Sequence, residues 1–321
     1  MDRRRFIACS AAGLLSTPSR LRAQEVKPPV VGFLALLGIN TQRQMRQTLR
    51  ELGYIDGRNI VIHERLANGA PDRLSGLATE LVRESVDVIV ATGPQAVRAA
   101  KTATNLIPIV ALDLETDPVQ TGLAQSLARP GGNMTGCFLD LPEMAGKWLE
   151  LLESAAPTSR PVGVVWDSTS GDWQLTATQN ASRRFRLDLL TIEVHSAEDL
   201  EAALRKAVDG GVRAIVMLSS PITSVGSERL AEFTRRNRLP AISPFRAFAD
   251  RGGLMSYGPD LLDFARLATT YVDKILKGAK PKDLPIQQPT NFKLIINLKT
   301  AKALGITIPQ SLLVRADEVM Q

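Results

Sequence analysis

Two short segments combine a hydroxyl and a proline at the end of an apolar run, Thr92-Gly93-Pro94-Gln95 and Ser219-Ser220-Pro221. In each, the apolar run reads as a strand and the proline opens a helix. The free N–H groups of a first helical turn, with the positive end of the helix dipole, attract a carboxylate or another anion. The same residues also serve as ordinary caps of buried helices, and each segment by itself leaves both uses open. Asp113, Glu115 and Asp117 alternate after another apolar run and could receive a ligand amine. A solvated loop fits them equally well, and a metal site would lack a nearby His or Cys. Gly38 follows the first apolar run of the chain, and Asp167 follows the run that opens its second half. Trp173 stands in a polar, glycine-containing stretch where an aromatic has little local core to join, so it is a candidate platform for a ligand.

Support for catalysis is thin. The two histidines, His63 and His195, fall within a strand and at a strand end, and neither has metal-ligand spacing. The chain has no Gly-x-Ser-x-Gly elbow, no GxxxxGK[ST] phosphate loop and no GxGxxG after its first strand. Cys137 has no base beside it in sequence and reads as a small packed hydrophobe. No catalytic residue, metal ligand or cofactor is therefore expected.

The elements that must position these residues alternate. Val30–Leu37, Ile60–His63, Val86–Ala91 and Ile107–Leu112 read as strands. Helical periods over Thr41–Leu52, Pro71–Glu84 and Pro94–Thr104 separate them. After a break at Pro130-Gly131-Gly132-Asn133, Met134–Asp140 runs extended and a second series begins. Its helices are expected at Pro142–Ser154, Thr176–Arg186 and Ser196–Val208, the last opened by a capping box of Ser196 and Asp199. Its strands are expected at Val162–Trp166, Leu187–Val194 and Val212–Leu218. Such alternation implies right-handed βαβ units and parallel sheets, whose ligands bind outside the carboxyl ends of the strands. Val86 to Pro94 and Val212 to Pro221 follow the same strand-to-helix plan, which convergence or duplication explains equally well.

Residues 1–23 carry Arg3-Arg4-Arg5 before a short apolar stretch from Phe6 to Leu15, too short to span a bilayer. The order Arg-Arg-x-Phe-Ile resembles a twin-arginine export signal, and cleavage near Ala23 would place the protein in the periplasm. That segment holds five Arg and one Asp, a net +4 of the whole chain's +6, so the basic balance does not point to nucleic acid. About 298 residues would remain, more than one core usually holds, so two domains are expected. Only Cys137 would be left, which allows no internal disulfide.

Several segments carry a family resemblance: Leu49-Arg-Glu-Leu-Gly-Tyr-Ile-Asp-Gly-Arg-Asn-Ile60, Val86-Asp-Val-Ile-Val-Ala91, and Ala128-Arg-Pro-Gly-Gly-Asn133 with Thr135-Gly136. Gly252-Gly-Leu-Met-Ser-Tyr-Gly-Pro-Asp260, Tyr271-Val-Asp-Lys-Ile-Leu-Lys-Gly-Ala-Lys-Pro281 and Ile296-Asn-Leu-Lys-Thr-Ala-Lys-Ala-Leu-Gly305 follow in order. Together they resemble the ABC-transporter substrate-binding family that includes the tryptophan- and tyrosine-binding proteins. The resemblance implies a periplasmic-binding-protein type I fold, with two doubly wound parallel-sheet α/β lobes joined by a three-stranded hinge. Lobes are expected at 28–136 with 259–289 and at 137–258 with 290–321. The hinge crossings are expected near Gly136–Leu139, Tyr257–Pro259 and Pro289–Phe292, which would put Tyr257 at the cleft. It also implies delivery of a small, amino-acid-like or carboxylate-bearing ligand to ABC permease subunits in the membrane; a monomer is expected, although the sequence itself does not distinguish it from a dimer. A sensing module of the same fold, and less readily a small-molecule enzyme, remain alternatives. Ser243 and Arg246-Ala247-Phe248 depart from residues common in the family, so ligand identity does not carry over.

Overall fold

The computed structural model describes residues 27–38, 40–139 and 141–321. The export-signal expectation on residues 1–23 lies outside them. The first series runs β1 (Val30–Ala35), α1 (Asn40–Glu51), β2 (Val61–Leu66), α2 (Arg73–Arg83), β3 (Val88–Thr92), α3 (Pro94–Ala103), β4 (Ile109–Asp113) and β5 (Met134–Phe138). The second runs α4 (Leu141–Ala155), β6 (Val162–Asp167), α5 (Trp173–Phe185), β7 (Leu189–Val194), α6 (Leu200–Asp209), β8 (Ala214–Met217), α7 (Pro221–Val225), α8 (Ser227–Arg236), β9 (Ala241–Ser243), α9 (Arg246–Asp250) and β10 (Met255–Pro259). It is followed by α10 (Leu261–Leu276), β11 (Phe292–Asn297), α11 (Leu298–Leu304), α12 (Gln310–Leu313) and β12 (Glu318–Met320).

These strands form two sheets. The first is parallel throughout, in the order β2-β1-β3-β4-β5. The second has the order β12-β11-β10-β9-β8-β6-β7, and its one antiparallel pair is β10 with β11. From β7 to β10 it repeats the topology of the first sheet, with β6 and β8 standing where β1 and β3 stand. Strands such as Val30–Ala35 are buried along their whole length because helices cover both faces of each sheet. One face of the first sheet packs Leu74, Leu81 and Val97 of α2 and α3, and the other packs Met45, Phe264 and Val272 of α1 and α10. In the second sheet, α4 and α5 close one face around Trp148, and α6 and α8 close the other.

The chain changes sheet three times: after β5, after β10 and before β11. Both of the fifth strands that lead into a crossing contain a glycine against backbone, that of the fourth strand for Gly136 and that of the residue just after it for Gly258. A Cβ on Gly136 would lie 2.1 Å from the Ala111 carbonyl oxygen, and its φ of +141° is itself a conformation that L side chains rarely adopt. A Cβ on Gly258 would lie 2.0 Å from the Pro244 carbonyl oxygen. We expect Gly136→Ala to cost about 3 kcal/mol or more by overpacking and backbone strain. Denaturant unfolding checks this, and a loss below about 1 kcal/mol would contradict the packing described.

Two expected helices differ in the structure. The Ser196 hydroxyl does accept from the Asp199 amide, and the Asp199 carboxylate from the His195 amide, both at 3.3 Å. That reciprocal pair closes a turn, however, and α6 begins only at Leu200. Short polar side chains can satisfy backbone groups in a turn as well as at a helix end, so the same spacing supports either. The helix expected after Pro221 is also split at Gly226, where a Cβ would meet the Leu200 side chain at 2.6 Å.

Candidate functional site

Because the two sheets share one topology, the places where each changes direction face each other with their strand carboxyl ends. In the first sheet that place lies beyond β1 and β3, and it presents Leu36, Leu37, Thr92 and Gly93. In the second it lies beyond β6 and β8, and it presents Asp167, Ser219 and Ser220. The lobes touch there. The Ser219 hydroxyl donates to Glu115 Oε1 at 2.5 Å, and Gln95 Nε2 donates to Thr169 Oγ1 at 2.8 Å. The Arg98 guanidinium donates to the Thr169 carbonyl at 3.3 Å. A Cβ on Gly93, whose φ is +86°, would come within 3.3 Å of the Pro221 ring.

Two chambers with a shared wall lie between the lobes. The inner one has a volume of about 50 Å³. Leu36, Leu37, Leu112 and Leu114 fill it from the first lobe, and Ser220, Pro221 and Phe245 face them from the second. The outer chamber is about 640 Å³ and runs along the carboxyl end of β10, between α9 and the start of α10. Thr41, Ser224, Phe245 and Leu261 border both. Five helices begin at the inner chamber, since Thr41, Gly93, Pro221, Phe245 and Leu261 stand at the starts of α1, α3, α7, α9 and α10. At α7 the Thr223 N–H is already capped by the Ser220 hydroxyl, and at α10 the Leu262 and Asp263 N–H groups by the Asp260 carboxylate, so the starts of the longer helices α1 and α3 are the ones that favour an anionic group.

Several buried polar atoms around this space have no hydrogen-bond partner among the described residues: Thr41 Oγ1, Gln95 Oε1, Asp113 Oδ2 and Ser256 Oγ. Buried polar groups are normally satisfied, so such a cluster marks where a bound molecule supplies the missing partners. The carboxyls are perturbed as well. Burial pushes Glu115 up to about 8, and the neighbouring Asp113 charge adds to the rise. Burial also raises Asp113 above the usual carboxylate range, opposed by hydrogen bonds and by the Arg98 charge. A cation brought to this pair would relieve both groups.

Gly38 borders the outer chamber, and Thr92, Gly93 and Ser220 border the inner one. Ser219, Gln95 and Asp113 sit directly behind that wall. Ser219 is committed to Glu115 and also holds the Gln174 amide through its backbone, at 2.8 Å in both directions. Like Ser219, Gln95 and Asp113, the remaining four sequence-based candidates line neither chamber. The Asp117 carboxylate accepts from the amides of Val119 and Gln120 and so closes its own turn. Asp167 accepts from Thr169 and Ser170, which positions Thr169 to meet Gln95. Trp173 is the first residue of α5 and not part of a loop. Tyr257 packs against Phe292 with ring centroids 6.1 Å apart. Strand alternation turns its neighbours Ser256 and Gly258 toward the outer chamber instead.

Thr41, Ser224, Phe245 and Ser256 border the chambers without having been read from the sequence, whereas Glu115, which borders the inner one, belongs to the alternating carboxylates that were. Thr41 follows the rule that found Thr92, because it too opens a helix after a strand. No local signal marks Ser224, Phe245 or Ser256, which reach the site only through packing between the lobes.

Nothing in the geometry adds support for catalysis. His195 Nδ1 lies 2.9 Å from Ser168 Oγ, but the imidazole is exposed and its other nitrogen is 3.9 Å from Glu193. His63 is paired with Glu84 on the surface at 2.5 Å. Cys137 is buried, which pushes its thiol up to about 12. Among the described residues no His, Cys, Asp and Glu group is arranged to hold a metal ion. No helix among them is long and apolar enough to cross a membrane.

The family model described as "ABC transporter substrate binding protein" matches residues 38–320. A curated relative, the tyrosine-binding protein of Clostridioides difficile (strain R20291), is 25% identical over 264 residues, 81% of this chain and 75% of the relative. Among solved structures, the ABC domain of Streptococcus pneumonia in complex with L-Trp superposes with a TM-score of 0.82 at 25% identity, covering 91% of this chain and 100% of that one. The ligand-free, open structure of a substrate-binding protein with adhesive properties from Clostridium difficile superposes with a TM-score of 0.63 at 22% identity, covering 91% of this chain and 99% of that one.

Proposed function

Because this chain belongs to the ABC transporter substrate-binding protein family, we propose that it captures an amino-acid-like, carboxylate-bearing ligand between its lobes and presents it to ABC permease subunits in a membrane. The observation that carries the ligand class is the inner chamber, where the starts of α1 and α3 lie beside the buried carboxyl of Glu115, with that of Asp113 next to it. Helix starts suit the carboxylate of an amino acid, and Asp113 with Glu115 suit its ammonium. The tyrosine and L-Trp associated with the two relatives are in keeping with that class.

Capture works by closure. The lobes that move are 28–136 with 259–289 and 137–258 with 290–321, and they turn about the three crossings. The bridges from Gln95 to Thr169 and from Ser219 to Glu115 form only when the lobes meet. A ligand that touches both lobes binds the closed form better than the open one, and so shifts the population toward it. We further propose that the protein is exported through the Arg3-Arg4 signal, cleaved near Ala23, and acts as a monomer in the periplasm.

A thermal-shift screen of residues 24–321 against amino acids, aromatic acids and small carboxylates tests the capture. At 100 times its Kd a ligand adds about 2.7 kcal/mol, which raises Tm by about 5–10 °C. The expected result is a saturable shift with α-amino acids, the ligand being recovered chemically unchanged. Turnover of the ligand would instead make the protein an enzyme, and silence across the panel would remove the amino-acid-like class.

A further inference from the structure

The cleft is closed differently along its two flanks. On the flank of α3 and α5 the lobes bond directly, from Gln95 and Arg98 to Thr169 in the turn before α5. On the flank of α1, α10, α7 and α9 the outer chamber lies between them, and Lys293 meets Asp260 at 3.0 Å where the chain crosses. The chamber's volume of about 640 Å³ falls within the ~300–1,000 Å³ usual for a ligand pocket. At ~30 Å³ per water, that is room for a molecule of roughly ten to twenty non-hydrogen atoms. Two hydroxyls of its wall lack a partner that the described residues could supply. Thr41 and Ser256 line the chamber and are 4% and 1% exposed, yet neither side-chain oxygen is hydrogen-bonded. A buried hydroxyl is normally satisfied, and each of these can donate one bond and accept two.

Charge narrows the class of occupant. Three basic and three acidic side chains line the chamber, and each is already in an ion pair: Arg246 with Asp250, Arg251 with Glu228, and Lys293 with Asp260. An ion brought here has to break one of these pairs or stay unmatched. Hydroxyl groups do neither, because the same O–H donates to a carboxylate and accepts from a guanidinium or an ammonium. We propose that the outer chamber is a second ligand site, separate from the inner chamber, for a net-neutral polyhydroxylated molecule about the size of a six-carbon polyol or a hexose. Thr41, Ser256 and the three ion pairs supply its hydrogen bonds. Both lobes wall the site, so its occupant favours the closed arrangement. The proposal goes beyond amino-acid capture and does not depend on it.

Isothermal titration of the protein with myo-inositol, D-glucose and sorbitol tests the class, with gluconate and N-methylglucamine as the anionic and cationic counterparts of sorbitol. Saturable binding of at least one neutral probe is expected, with both charged counterparts at least about tenfold weaker. Ser256→Ala is expected to weaken the neutral probe about three- to tenfold, the effect of one hydrogen bond. Without a probe, that variant should melt at or above the wild-type Tm, because the hydroxyl it removes has no partner there. A variant that is less stable when empty and binds the probe unchanged would make Ser256 structural and overturn the proposal. So would tighter binding of a charged counterpart, or no binding of any neutral probe. A rise in Tm that never saturates and is equal in the variant reflects exclusion of polyols from the protein surface, and it too counts against a site. An amino acid found in the thermal-shift panel should leave the neutral probe bound. If it displaces the probe, the second site fails while amino-acid capture stands. If the panel is silent and the probe binds, the reverse holds.

Discussion

Raising the pH from 5 to 8.5 opens the ligand-free protein, and Glu115→Gln keeps it closed across that range. The cause is the carboxyl pair at the lobe interface. In the closed arrangement burial, and then the charge of Asp113, push Glu115 up to about 8, whereas an exposed glutamate titrates near 4.5. Asp113 shifts in the same direction, again chiefly through burial. Closing therefore takes up protons. The contribution to closure is fully present below about 4.5 and is lost as pH rises through about 8. For one proton the closing equilibrium changes by at most about tenfold per pH unit. Arg98, the charged group that faces Asp113, lowers it and so moderates the effect. Glutamine keeps the acceptor for the Ser219 hydroxyl but carries no charge at any pH. Small-angle scattering of the wild type and the variant measures the change directly. An equal radius of gyration at pH 5 and 8.5 in the wild type would sink the account.

The largest single loss of stability is expected from Trp148→Ala. Trp148 is fully buried in α4, at the centre of the core that α4, β6, β8, β10 and β11 share. Its indole N–H donates to the Tyr257 carbonyl at 2.7 Å, in the last residues of β10 before the chain crosses to α10. Truncation leaves a cavity that costs about 3–5 kcal/mol. It also strands a buried carbonyl, for a further ~1–3 kcal/mol. Trp148→Phe restores most of the volume but not the hydrogen bond, so its loss should be about 1–3 kcal/mol. Urea unfolding separates the two terms through a midpoint shift at constant slope. If both variants unfold within about 1 kcal/mol of the wild type, the indole does not anchor that crossing.

These two cases show where sequence stops being informative. Trp148 falls on the apolar stripe of the expected helix at 142–154, so its burial follows from periodicity. Its bond to Tyr257 spans 109 residues and has no local signal. Likewise the alternation of Asp113, Glu115 and Asp117 makes carboxylates conspicuous without ranking them. Folding separates them: Asp117 turns onto its own backbone, whereas Asp113 and Glu115 are buried against the second lobe.

By itself the sequence determined the α/β class, most strands and helices up to Pro221, and the strand ends at Thr92 and Ser219-Ser220 from which helices start. Those features depend on local periods and on turn chemistry, which act over a few residues. Only the tertiary structure decided that Trp173 begins a helix, that Tyr257 faces the core, and that Thr41, Ser224, Phe245 and Ser256 wall the cleft. The side of a strand that meets another lobe, and the volume left between lobes, depend on contacts between segments more than a hundred residues apart. Hydrophobic pattern specifies that such faces are buried, but the complementary surface that buries them is set by the packing of both lobes together.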